Sequence, residues 1–207
     1  MIRKFCSLVF CVVALLLLLA GCSSHPPSAA QFMNVKKNDG IFSVGGTAFA
    51  GDLYKPYEGG RGVLFTLSGY GRVDAFEFGL SLETTTFLPI LGLRGEYLGL
   101  QGWGFFKDVE HYNEKSRTIW IGGSMLIQQY PISENFKVGL SEHISNNLSA
   151  KSDPDDYGSF DFKNGYYPEF GIGTYLTYKG FSIEFRYGRE IGELRNRFYF
   201  MTNYGTF

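Results

Sequence analysis

The chain has 207 residues, a formal net charge of −1, 44% hydrophobic and 17% aromatic side chains, and 27 glycines. That length suits one domain, and the near-neutral charge removes any argument for a nucleic-acid partner. The three cysteines and three histidines keep no C-x-x-C or H-E-x-x-H company, so no metal site and no cofactor is expected.

The first element in chain order is a leader. Arg3 and Lys4 precede an apolar run over 7–20 that is too short to span a bilayer and has no stop-transfer pattern behind it. Leu19-Ala20-Gly21-Cys22 then supplies small residues before a cysteine. This stretch resembles the bacterial lipobox, which implies cleavage before Cys22 and acylation of its thiol. Ser23 after the cysteine, where Asp would retain the protein, implies sorting to the outer membrane by the same resemblance. Residues 1–21 are thus expected to be a lipoprotein signal peptide that takes Cys6 and Cys11 with it, leaving no pair for a disulfide. The alternative is an ordinary signal peptide with a chance cysteine. Residues 22–40 are Ser/Pro/Ala-rich and then polar, and read as a flexible lipidated tether. Residues 41–207 remain for the folded domain.

From residue 41 the pattern has period two. Phe76, Phe78, Leu80 and Leu82 fall on one face, with Glu77, Gly79, Ser81 and Glu83 on the other; Phe181, Ile183, Phe185 and Tyr187 likewise oppose Ser182, Glu184 and Arg186. Such alternation means strands with one greasy and one polar face. Candidate strands are 41–54, 61–71, 75–88, 92–106, 117–130, 135–145, 168–179, 181–189 and 195–207. A soluble sandwich would turn the greasy face inward, whereas a membrane barrel turns it outward over a polar interior. High aromatic content, strands of about 10 residues, and short turns alternating with long polar loops over 107–116 and 146–167 favour the membrane. So does the aromatic-rich terminal strand finishing at Phe207, which resembles the terminal signature of outer-membrane barrels. The fold class expected is all-β: an antiparallel up-and-down outer-membrane barrel. Nine candidates conflict with the even count of bacterial barrels; eight is the expected number, with 41–54 the segment to drop. Trp103 and Trp120 read as interface anchors, and Glu77, Glu83, Arg94, Glu96, Glu184 and Arg186 as interior charges that pair with one another.

One strand carries chemistry. In ENFKVGLSEHISNN (134–147), His143 and Ser145 share the polar face with Lys137, Gly139 and Ser141, opposite Phe136, Val138, Leu140 and Ile144. The strand leaves a short turn at 131–134 and exits into the long loop, so this pair sits at the outer end of the wall. The next strand descends from that loop with Glu169 on its polar face. A serine, a histidine and a carboxylate thus converge from neighbouring strands. Histidine suits proton abstraction from the serine near neutrality, a carboxylate can orient its ring, and the amides of Asn146 or Asn147 can meet an oxyanion.

His143-Ile144-Ser145-Asn146, then Asn164-Gly165 and Glu169, resemble the H-x-S-N motif and following glutamate of the PagL-type outer-membrane lipid A 3-O-deacylases. The resemblance implies His143 as base, Ser145 as nucleophile, Glu169 as orienting carboxylate and Asn146 near the oxyanion, with lipopolysaccharide as the membrane-borne substrate. It covers about 35 residues persuasively. Here the loop between serine and glutamate is longer than in that family and offers Asp153, Asp155, Asp156 and Asp161 as rival carboxylates. Three readings remain open: an outer-membrane esterase trimming lipid A, a non-enzymatic barrel lipoprotein whose outer loops bind host or envelope partners, and a soluble periplasmic β-lipoprotein. His143 and Ser145 as solvated lumen residues at a strand end is the bland counterpart of the first.

Overall fold

The computed structural model describes residues 25–51, 61–83, 86–109, 117–151, 163–192 and 194–206. Cys22 with the leader, the loops 52–60, 110–116 and 152–162 with all four rival aspartates, and Phe207 lie outside them. Ten strands follow in order: β1 Gly40–Ala50, β2 Arg61–Val73, β3 Phe76–Glu83, β4 Thr86–Arg94, β5 Leu98–Val109, β6 Arg117–Pro131, β7 Phe136–Lys151, β8 Lys163–Tyr178, β9 Phe181–Glu190 and β10 Asn196–Thr206. Each pairs antiparallel with the next, and β1 closes on β10 from Phe42–Thr206 to Ala50–Phe198. The result is a closed all-β barrel.

The strand number corrects the expectation of eight. Residues 75–88 and 92–106 read as two strands but build three, because one hairpin reverses after Glu83 and another at 95–97. Thr84, Thr85 and Thr86 are β-branched and continue a strand pattern through the first reversal. In the second, Gly95 N–H donates to Leu98 O at 2.8 Å, which places Glu96 in an exposed turn rather than in the interior. Segment 41–54, the one to drop in the sequence reading, holds β1 (Gly40–Ala50), the strand that closes the wall. Both ends of the polar stretch 146–167 are strand rather than loop: β7 runs on to Lys151 and β8 begins at Lys163.

Alternation decides which way each side chain points. Phe65, Phe78, Leu91, Leu140, Ile144, Ile172 and Phe185 stand exposed on the outside, while Thr47, Ser68, Ser81, Gln101, Ser141, Thr177 and Asn203 are buried inside. A belt of exposed apolar residues this extensive does not suit water; it is the lipid face of a membrane barrel. Trp120 belongs to that face, edge-on to Phe106 with ring centroids 5.1 Å apart. Trp103 does not: it is buried in the lumen. Short turns at 74–75, 95–97, 132–135 and 179–180 share one end with the start of β1, and the connections 51–60, 84–85, 110–116, 152–162 and 191–195 share the other.

The lumen is filled by the chain itself. Residues 25–35, read as tether, run inside the barrel and are buried. A single helical turn, α1 (Ala29–Phe32), is capped by Ser28, whose Oγ accepts from Gln31 N–H at 3.2 Å. Phe32 and Met33 rest on Gly92 and Gly99, where a Cβ would meet them. Arg94 donates to the carbonyls of Phe32 and Val35 and lies 3.7 Å from Glu77. Higher up, Glu184 accepts from Ser28 Oγ at 2.9 Å, and Arg186 donates to the carbonyls of Pro26 and Pro27 at 2.7 and 2.6 Å. Arg186 and Glu184 also pair directly. At the top of this run, His25 Nδ1 sits 3.2 Å from Glu83, near the loop-bearing ends of β3 and β4. The segment therefore rises from the turn end toward the loop end. An eight-stranded barrel is filled by its own side chains; ten strands enclose more space, and residues 25–35 occupy it.

Candidate functional site

His143 on β7 and Glu169 on β8 come together on the inner wall, with Nε2 and Oε1 2.9 Å apart. The register that brings them close pairs Ser145 with Glu169 and His143 with Gly171. All three side chains face the lumen and are buried, at 5%, 4% and 0% exposure for His143, Ser145 and Glu169. The small residues around them are required. A Cβ on Gly171 would collide with the His143 ring, and one on its partner Gly188 with the Glu169 carboxylate. Two glycines side by side thus make the floor on which an imidazole and a carboxylate lie.

The remaining oxygen of Glu169 accepts from Tyr199 Oη at 2.7 Å, and Tyr199 lies 3.3 Å from the hydroxyl of Tyr167. Arg197 covers Tyr167, its guanidinium carbon 3.6 Å from the ring centroid. His25, from the segment inside the lumen, places its ring 6.0 Å from that of Tyr199. The site is therefore a chain His143–Glu169–Tyr199–Tyr167 under a cation. The sequence motif missed both tyrosines and Gly188. A signal existed for Tyr199, since alternation through FYFMTNY puts it on the lumen face with Met201 and Asn203.

The other atoms of the expected trio are left open. His143 Nδ1 and Ser145 Oγ are buried with no hydrogen-bond partner among the described residues, and the two make no bond with each other. On one strand face, residues i and i+2 stand about 7 Å apart. The asparagines divide. Asn147 shares the lumen face and keeps its amide nitrogen unpartnered, whereas Asn146 donates to Trp120 O at 2.6 Å across the β6 ladder. Among the described residues no three His, Cys, Asp or Glu side chains gather to hold a metal ion.

A closed antiparallel wall, apolar outside and polar within, with short turns at one end, decides the class. The fold is that of an outer-membrane β-barrel. Among solved structures, Neisserial surface protein A is similar at a TM-score of 0.46 and 10% identity, over 81% of this chain and 96% of that one. The N-terminal β-barrel domain of Pseudomonas aeruginosa OprF is similar at 0.37 and 10%, over 79% and 97%. The Ail attachment invasion locus protein of Yersinia pestis, in complex with the heparin analogue sucrose octasulfate, is similar at 0.36 and 10%, over 81% and 97%. These likenesses concern fold. No family model and no curated protein matches the chain.

Proposed function

We propose that this chain is a lipid-anchored outer-membrane barrel with a plugged lumen, serving as a binding module through the loops at one end. The observation that carries the reading is the filled interior. Residues 25–35 are held along the lumen by Arg94, Glu184, Arg186 and Glu83, which makes the filled barrel a platform for loops. His143 and Glu169 belong to the same buried polar network and face that interior, away from the lipid. The anchor follows from the Leu19-Ala20-Gly21-Cys22 motif. The test compares cells expressing the chain with cells expressing it without residues 152–162, for retention on immobilised serum and matrix proteins. Retention that depends on the loop supports the reading; equal retention would remove it.

One observation favours a second reading, that of a lipid A esterase. Glu169 already holds His143 through Nε2, while His143 Nδ1 and Ser145 Oγ, on the same lumen face, are both buried and bonded to no described residue, so neither atom is committed elsewhere. In that reading His143 takes the serine proton, Glu169 holds the ring and Asn147 faces the oxyanion. Mass spectra of lipid A from cells expressing the parent chain or Ser145→Ala separate the two. Loss of one ester-linked acyl chain with the parent only would establish the esterase; identical spectra from folded proteins would leave the binding module.

A further inference from the structure

We infer that the wall carries a lateral acyl-chain site between β4 and β5, taking one chain of an anionic lipid of the outer leaflet. The β4–β5 ladder stops at Ile90–Trp103, although both strands continue toward the loop end, β4 up to Thr86 and β5 to Val109. Two local causes act there. Arg94 N–H bonds Ala75 O on the β3 side, so by strand alternation Pro89, five residues away, turns its nitrogen toward β5, where it has no hydrogen to donate. Opposite, Gly104 and its β6 partner Gly122 have φ of 151° and 152°, a departure from ordinary strand backbone just above Trp103 where the β4–β5 pairing ends.

The parting leaves a cavity of about 570 Å³ lined by Leu80, Thr86, Phe87, Pro89, Phe105, Phe106, Lys107 and Leu148. It crosses the wall. Phe106 is 71% exposed on the lipid side, while Leu148 at the inner end is 1% exposed and packs with Ile121. An apolar slot continuous with the lipid face, in the loop-end half of the wall, is next to acyl chains of the outer leaflet and not to water. Lys107 supplies the charge. It lines the same cavity near the end of β5, and it makes no hydrogen bond or ion pair with a described residue. The neighbouring Asp108 is engaged elsewhere, accepting from Thr118 Oγ1 at 2.6 Å. An apolar slot beside the Lys107 ammonium, which no described residue pairs, matches one acyl chain below a phosphate-bearing headgroup.

The test uses the full chain folded into phosphatidylcholine vesicles, with Trp103→Phe and Trp120→Phe as a dark background and Phe105→Trp as the reporter. A minor share of acyl-brominated phosphatidylglycerol or acyl-brominated phosphatidylcholine serves as quencher, and heat-modifiable migration shows that each variant is folded. Brominated phosphatidylglycerol is expected to quench about fivefold more strongly than the zwitterionic lipid, and Lys107→Gln to level the two. A lumen control, Tyr70→Trp, is expected to remain unquenched. Ile119→Trp, on the inner face near Phe105, is the second reporter should Phe105→Trp fail to fold. Quenching at position 105 no stronger than in the Tyr70→Trp control would close the slot and overturn the inference. Equal quenching by the two lipids would overturn its anionic headgroup.

Discussion

At the scale of single residues, the pairing of His143 with Glu169 depends on what is missing around it. Gly171 and Gly188 lie side by side, and a methyl on either would displace the imidazole or the carboxylate. Gly171→Ala also meets the Tyr187 carbonyl, which cannot move aside, so it is expected to lower stability by about 1–3 kcal/mol, read as the urea midpoint of unfolding from vesicles. Tyr199→Phe removes the donor to the outer oxygen of Glu169 and is expected to cost about 1–3 kcal/mol. Ser145→Ala is expected to be close to neutral in the same measurement, because its hydroxyl bonds no described residue. A loss from Ser145→Ala as large as that from Tyr199→Phe would mean that the hydroxyl is held in the folded barrel.

At the scale of elements, the wall is uneven, and its weak seam has a local cause. Pro89 withholds a donor from β5 at the point where the β4–β5 ladder ends, and Gly104 and Gly122 depart from ordinary strand backbone in the facing hairpin. Gly122→Ala places a methyl against the backbone of Trp103 and Gly104 at a positive φ. It is expected to cost about 1–3 kcal/mol, and more than the same change at Gly46, whose φ is ordinary and whose surroundings are open enough. Pro89→Ala returns a donor toward β5; weaker quenching of the Phe105→Trp reporter is its expected effect, as the ladder extends and the slot narrows. Unchanged quenching would assign the parting to the Gly104–Gly122 pair alone.

At the scale of the whole molecule, strand number and plug explain each other. Ten strands enclose a lumen wider than their own side chains fill, and residues 25–35 complete it through buried charges. Arg186 is the keystone, bonded to the carbonyls of Pro26 and Pro27 and paired with Glu184. Arg186→Met leaves Glu184 buried beside its remaining donors without its cation, and is expected to destabilise the barrel by about 3–5 kcal/mol. Deleting 25–35 is expected to convert a silent barrel into a conducting one in planar bilayers. Silence after deletion, in a chain shown to be inserted, would mean that the wall's own side chains close the lumen.

Much of this was legible in the order of residues, and the boundary has a physical basis. Side-chain alternation is a local property of an extended chain, so the all-β class, the lipid-facing and lumen-facing sets, and the common face of His143, Ser145 and Glu169 all followed from the sequence by itself. Properties that depend on closure did not. Whether 75–106 holds two strands or three rests on reversals that Thr84–Thr86 disguise as strand and that only pairing with β2 and β5 enforces. That Trp103 turns inward, that Glu96 lies in a turn, and that a polar Ser/Pro/Ala-rich leader segment runs through a lumen rather than trailing in water were decided by the tertiary structure. Each depends on contacts between residues far apart in the chain, where the space left by ten closed strands, and not any local pattern, selects what fills it.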